Sequence, residues 1–534
     1  MTADDKRTRV LVGVDVGSTS ARAGAFDATG RMLASASVGF DVNKPATDHL
    51  EHDSEQIWQA VAAAVRRALA DGGIDAGRVA GLAFDATCSL VMLDAAGRPA
   101  SVSTTGADRW NVVMWADHRA IAEAAQITRT GHRALAYVGG TMSPEMELPK
   151  LLWLKRHLPA AWGRYGMAFD LADYLTWRAT GVPAVSACTV TCKWAYLNHD
   201  DGWQRDLLAA IGLGDMLDHL RIPARALQLG TRAGMLAAEA AAALGLPAGI
   251  AVGTGLIDAH AGGLGVLAGV AGDRLDESLA VIGGTSTCHM ALSPNPRAVP
   301  GVWGPYFGAM MPGLWLTEGG QSATGSLLDH VLDLHAEGRA LTGDRHGRVI
   351  AHIQERKRVE GPGYAHELLV LPDFHGNRSP LADPTLRGAI HGLTLDSSFE
   401  SLAQLYHATA VGIVYGTRHI IDALNAQGYR IGRLHLTGGH AKNALLVQLY
   451  ADATGCEVVL PREADGVLLG SALAAAAASG VHADLAAAGR AMVHDGLRIA
   501  PNGAAVAVHD RGYRAFHLAI AQRRALVELL NGPA

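Results

Sequence analysis

Apolar and polar positions along the chain switch repeatedly between a period of two and a period of 3.6. RVLVGVDV is a continuous apolar run of strand length, and ARAGAFDATGRMLASASVGF alternates like a hairpin turning at 27–30. A helical period follows: Ile57, Val61, Val65 and Leu69 share one face, Asp53 and Gln56 form a capping-box pattern before it, and Gly72 and Gly73 end it. GLAFDATCSLVMLDAAGRP predicts two more strands with a similar Asp–Gly turn at 94–97. Residues 118–215 are predicted mainly helical, most clearly in LPKLLWLK and DLADYLTWRATG.

From residue 249 strands and glycine return, in GIAVGTGLIDAHAGGLG and SLAVIGGTSTCHMALS. After an irregular stretch a long helix is predicted from Ser397, with Glu400 as capping partner and Leu402, Leu405, Ile413, Ile420 and Leu424 along it. RLHLTGGHAKNALLVQLYADATG gives a strand, a glycine turn and a helix; EVVLP gives a last strand and VLLGSALAAAAASG a last helix. Strands alternating with helices predict an α/β architecture.

One echo divides the chain. Gly17, Ser18, Thr19 and Ser20 follow an apolar strand and precede another, and Gly284, Thr285, Ser286 and Thr287 do the same. The simplest reading is two related domains, 1–262 and 263–534, each presenting a glycine–hydroxyl hairpin to a shared cleft. A length of 534 residues is beyond what one core serves.

Composition narrows the function classes. Lys+Arg is 45 and Asp+Glu 51, a net charge of −6, so nothing draws the surface to nucleic acid or anionic membrane. Five scattered cysteines without a C-x-x-C pair predict reduced thiols and a cytoplasmic protein. MTADDKRTRV is charged and leads straight into a strand, so neither a signal peptide nor a membrane span is expected.

The chemistry begins at the first hairpin. A glycine turn brings backbone N–H groups close to an anion, Ser18 and Thr19 add hydroxyl donors, and Arg22 adds a charge-assisted phosphate contact. Asp15 beside a phosphate needs a cation between them, and Mg²⁺ supplies one. No Gly-Lys-[Ser/Thr] occurs, which excludes a P-loop. GLGVLA at 263–268 imitates a dinucleotide fingerprint but follows a helix, and no acidic residue stands about twenty positions on. Asp258 falls where a strand enters a glycine-rich segment, placed to take the proton of a hydroxyl attacking phosphorus. His260, two residues on, reads as a half-buried structural histidine.

These motifs, in order from about residue 9 to about 480, resemble the FGGY family of carbohydrate kinases. The resemblance implies two actin-like (ribonuclease H-like) ATPase domains flanking a catalytic cleft, ATP and Mg²⁺ as cofactors, and Asp258 as the base. It places Gly17, Ser18, Thr19 and Arg22 in the first phosphate loop, Gly284 and Thr285 in the second, and Gly438, Gly439 and Asn443 in the adenosine motif. Ser18 stands where the family usually has threonine, and the signature ahead of Lys150 is only partly kept. Family members are often dimers or tetramers, so the resemblance allows a homodimer or homotetramer.

The sugar pocket is expected from four segments: Thr87 in FDATCSL, Asp117 in WADHRA, Lys193 in CKW and Glu318 in TEGGQS. Their carboxylates and ammonium suit the hydroxyls of a neutral polyol. The segments are most similar to the ribulokinase branch, in which the residues matching Ala86, Lys193, Asp258 and Glu318 contact the sugar. The expected reaction is ATP + D-ribulose → ADP + D-ribulose 5-phosphate. L-ribulose, ribitol and D-xylulose stand as alternative substrates, and an actin-like ATPase switch or an inactive sugar-binding homologue as alternatives of another class.

Overall fold

The computed structural model describes residues 9–531. Two seven-stranded sheets carry the chain, one in each half. In the N-terminal lobe the central strand Val10–Val16 is wholly buried, as its unbroken apolar run requires. It pairs antiparallel with Ser20–Asp27 and parallel with Val79–Ala86. In the C-terminal lobe Ser278–Gly283 pairs antiparallel with Thr287–Ser293 and parallel with Arg433–Gly438. The two halves therefore share one topology at their centres, and the 17–20 and 284–287 turns are equivalent hairpin turns within it.

Asp53 caps the helix Ser54–Asp71 by accepting the N–H groups of Glu55 and Gln56. Its box is only half formed, because the Gln56 amide pairs with Asp41 instead. The long helix is Phe399–Ala426, capped by Ser398 rather than begun at Ser397. The region 118–215 holds the helices Glu147–His157, Leu171–Thr180 and Ala187–Lys193, together with a strand not expected there, Tyr165–Asp170, which extends a five-stranded side sheet.

The lobes meet along two crossing helices, Asp258–Leu267 and Gly466–Ala478. A Cβ on Gly470 would lie 1.9 Å from the Ala261 carbonyl, and one on Gly265 1.9 Å from that of Gly466, so the two backbones touch where no side chain fits. The helix Gly466–Ala478 is apolar on every side because it also packs on the N-terminal sheet, through Leu468 against Gly13. One apolar core consequently runs from Leu11 and Phe26 through Leu264 and Ala472 to Met290 and Leu316, joining both lobes. The expected boundary at 262/263 falls inside the first of these helices, which belongs to the junction itself. No helix among the described residues is long and apolar enough to cross a membrane.

Candidate active site

Between the lobes lies a cleft of about 620 Å³. The parallel strands of the N-terminal sheet direct their C-terminal ends toward it, which is where such sheets place chemistry. Asp15 stands near the end of Val10–Val16, with Asp85 of Val79–Ala86 as its register partner. Asp258 follows Leu256–Ile257 directly and opens the junction helix.

Asp258 accepts its neighbour's N–H, from Ala259, at 2.7 Å. Burial, and next the nearby charge of Asp15, push its carboxyl up to about 6. Asp85 is raised well above the carboxylate range, first by burial and then by Asp15, and it accepts the Ser471 hydroxyl of the second junction helix at 2.6 Å.

At the phosphate end Gly17, Ser18, Gly284, Thr285, Gly438 and Gly439 all line the cleft. A Cβ on Gly17 or Gly284 would meet no protein atom nearer than 3.7 or 3.8 Å, so each glycine leaves a hollow that opens into the cleft. The Gly284 and Thr285 carbonyls are tied back by the Gly325 and Thr324 N–H groups, which leads the turn into the helix Gly325–Leu334. Ser18 is fixed twice: its hydroxyl accepts the Trp115 indole N–H at 3.0 Å, and its carbonyl lies 3.0 Å from His52 Nε2. Beyond Gly284, Thr285, Gly439 and Lys442 the cleft continues into a second cavity of about 430 Å³, where Asn443 and Tyr406 line the wall. Asn443 also caps the helix Ala444–Thr454. Two glycine hollows leading to a further chamber fit a triphosphate followed by a nucleoside.

Arg22 lines the cleft, but its guanidinium is held by Asp15 at 2.5 Å and by Asp465 at 2.6 Å. Burial opposes its charge, and the two carboxylates outweigh that and raise its pKa. Arg22 therefore reaches the cleft as expected, paired there with two carboxylates, and is itself a cation beside Asp15. Among the described residues no group of three or more His, Cys, Asp or Glu stands ready for a metal. One carboxylate next to a phosphate cradle is still how Mg²⁺ is usually bound, with phosphate oxygens and waters completing its shell.

At the other end Thr87, Lys193, Asp258 and Glu318 come together. Among the described residues the Lys193 ammonium has no carboxylate within ion-pair distance, and it lies over the Trp303 ring at 4.4 Å. Burial opposes its charge, but neighbouring groups, the Glu318 carboxylate among them, outweigh that and raise its pKa above the usual ammonium value. Glu318 Oε2 is buried without a hydrogen-bond partner. His260 Nε2 is 3.4 Å from Cys192 Sγ and 3.6 Å from Glu318 Oε2, and burial lowers its pKa to about 4, so it is a neutral, fully buried ring behind the wall.

Three expected residues lie elsewhere. Asp117 is fully buried in an ion pair with Arg119, which also binds Glu51, and its remaining acceptor capacity takes the Leu50 N–H. It braces the pocket wall instead of facing a sugar, because Arg119, two residues on, turns back to satisfy it. Ala86 is the buried end of its strand, with Thr87 and Cys88 reaching the cleft in its place. Thr19 is exposed and outside the lining. The cleft also contains Trp115, Glu145, Trp303 and Arg378, none of them expected. Trp115 was signalled by its place beside Asp117 in the same segment, whereas Arg378 sits in a turn-rich loop with no periodicity to mark it.

Comparison with known proteins agrees with this geometry. Residues 10–265 match the N-terminal domain of the FGGY family of carbohydrate kinases, and residues 279–479 its C-terminal domain. An FGGY carbohydrate kinase domain-containing protein of Danio rerio is 45% identical over 97% of this chain and 99% of its own length. A D-ribulokinase of Saccharomyces cerevisiae is 38% identical over 89% of this chain and 72% of its own. The crystal structure of xylulose kinase from Rhodospirillum rubrum superposes with a TM-score of 0.78 at 25% identity, covering 97% and 99% of the two chains. A two-lobed cleft with paired glycine turns, matched over both domains in sequence, has one consistent assignment: the chain belongs to the FGGY family of carbohydrate kinases and is a phosphotransferase acting on a sugar hydroxyl.

Proposed function

We propose that the protein phosphorylates the terminal hydroxyl of D-ribulose, with ATP as donor and Mg²⁺ as its counter-ion. Asp258, ionised, accepts the hydroxyl proton as that oxygen forms its bond to the γ-phosphorus; the bond from phosphorus to the bridging β–γ oxygen breaks, and ADP leaves. Lys193 donates to, and Glu318 accepts from, hydroxyls further along the sugar. Gly17 and Gly284 let backbone approach the phosphates, Ser18 and Thr285 add donors, and Asn443 with Gly438 and Gly439 borders the nucleoside. Magnesium, held at Asp15, would neutralise charge on the phosphates. The observation that carries this reading is the meeting of an unpaired ammonium, an unpartnered buried carboxylate oxygen and the raised carboxyl of Asp258 at one end of a phosphate cleft. The yeast D-ribulokinase among the relatives supports the choice of sugar.

An ADP-release assay with D-ribulose, L-ribulose, D-xylulose, ribitol and glycerol tests it. D-Ribulose is expected to give the highest kcat/KM. A tenfold preference for any other member of the panel would reassign the substrate within the family.

A further inference from the structure

The cleft is bridged at its sugar end by two side chains that the transfer chemistry leaves unused. Glu145 precedes the helix Glu147–His157 of the N-terminal lobe, and Arg378 belongs to the loop after Leu369–Leu371 of the C-terminal lobe. Arg378 Nη2 lies 3.4 Å from both Glu145 carboxylate oxygens. Both side chains are largely buried, 17% and 13% exposed, and both line the cleft. Burial alone would raise the Glu145 carboxyl, but the charge of Arg378, with help from His118 and Lys193, carries it down to about 2.

The pair is one crossing of two. Arg378 also lies over the Trp303 ring at 5.4 Å, and that ring belongs to the C-terminal lobe and receives Lys193 of the N-terminal lobe at 4.4 Å. Charge contacts thus run from Lys193 to Trp303, to Arg378 and back to Glu145. The Arg378 stem is seated against Gly320, where a Cβ would fall 2.7 Å from its Cδ.

Separating the lobes would break this pair and leave each charge to be solvated alone, and joining them lets each neutralise the other. Arg378 Nη2 meets both carboxylate oxygens at the same 3.4 Å, so the pair is already engaged across the cleft. We propose that Glu145 and Arg378 form a latch between the lobes that closes the sugar end of the cleft, and that both are positioning residues for phosphoryl transfer. The proposal rests on the sugar-kinase reading of this cleft. It accounts for two buried charges that would otherwise be a cost without a use.

Glu145→Gln, Arg378→Lys and the double variant test it, since the first keeps the shape and the second keeps the charge. Hydrogen exchange of the unliganded protein is the first measurement. Each single variant is expected to speed exchange in the partner lobe's segment as well as its own: 372–388 for Glu145→Gln and 143–149 for Arg378→Lys. Change confined to the substituted segment would overturn the latch. The second measurement is kinetics with the best sugar of the panel. Each single variant is expected to lower kcat/KM roughly tenfold to a hundredfold, mainly through the sugar KM, and the double variant no further than the worse single. Losses that multiply in the double variant would overturn pairing. If no sugar is turned over by the native chain, the substrate reading fails, and the exchange measurement still decides the latch.

Discussion

As the proposed base, Asp258 would owe its role to where it stands more than to what it is. A strand end delivers it to the cleft, the first turn of a helix supplies a backbone N–H, and burial near Asp15 lifts its pKa to about 6. A base must be ionised to accept a proton, so kcat/KM is expected to fall as pH drops below about 6, with an acid limb at that value. Asp258→Asn should remove this limb and lower kcat by about 10²–10⁴-fold while sugar binding persists. Near-native turnover by that variant would exclude Asp258 as the base. The place of Asp258 on the cleft was legible in the sequence, because an apolar strand rarely ends on a carboxylate and a glycine run unless that charge faces a cleft. Asp117 misled for a related reason: a carboxylate in a polar segment resembles a ligand-binding group until a partner such as Arg119 is found on top of it.

At the scale of elements, the glycines divide into those that admit a ligand and those that admit a neighbouring backbone. Gly17 and Gly284 have open space where a Cβ would point, and Gly470 has a carbonyl at 1.9 Å. Gly17→Ala and Gly284→Ala are therefore expected to fold with native stability and to raise the KM for ATP by about tenfold, the worth of about one close contact. Gly470→Ala should instead cost about 1–3 kcal/mol in denaturant unfolding. The opposite pattern would mean the hairpin turns are structural. The hairpins themselves were readable, since period-two patterning and their turn residues agree. The strands Trp303–Phe307 and Trp315–Gln321 were not, although they carry Trp303 and Glu318. Glycine and proline in GVWGPYFGAMMPGLWLTEGG break the alternation, and pairing of Trp315–Gln321 with Thr287–Ser293, and of Trp303–Phe307 with Trp315–Gln321, supplies what local propensity lacks.

The whole molecule is two lobes joined by crossing helices and bridged again at the cleft, by Arg22 with Asp465 at the end proposed for the nucleotide and by Glu145 with Arg378 at the end proposed for the sugar. Transfer to a sugar in preference to water requires the lobes to shut water out. Small-angle scattering should therefore show a smaller radius of gyration with sugar and a non-hydrolysable nucleotide together than with neither. An unchanged radius would argue against closure as part of the cycle.

Local patterning along the chain was enough to fix the α/β class and the duplicated hairpin at the start of each half, and to single out Asp258 as a candidate base, because each depends on neighbours along the chain. Only the tertiary structure decided that Asp117 serves Arg119, that Arg22 pairs with Asp15 and Asp465, and that Glu145 meets Arg378 from 233 residues away. Those outcomes depend on which charges burial forces together, and charge pairing between distant segments has no period in a sequence.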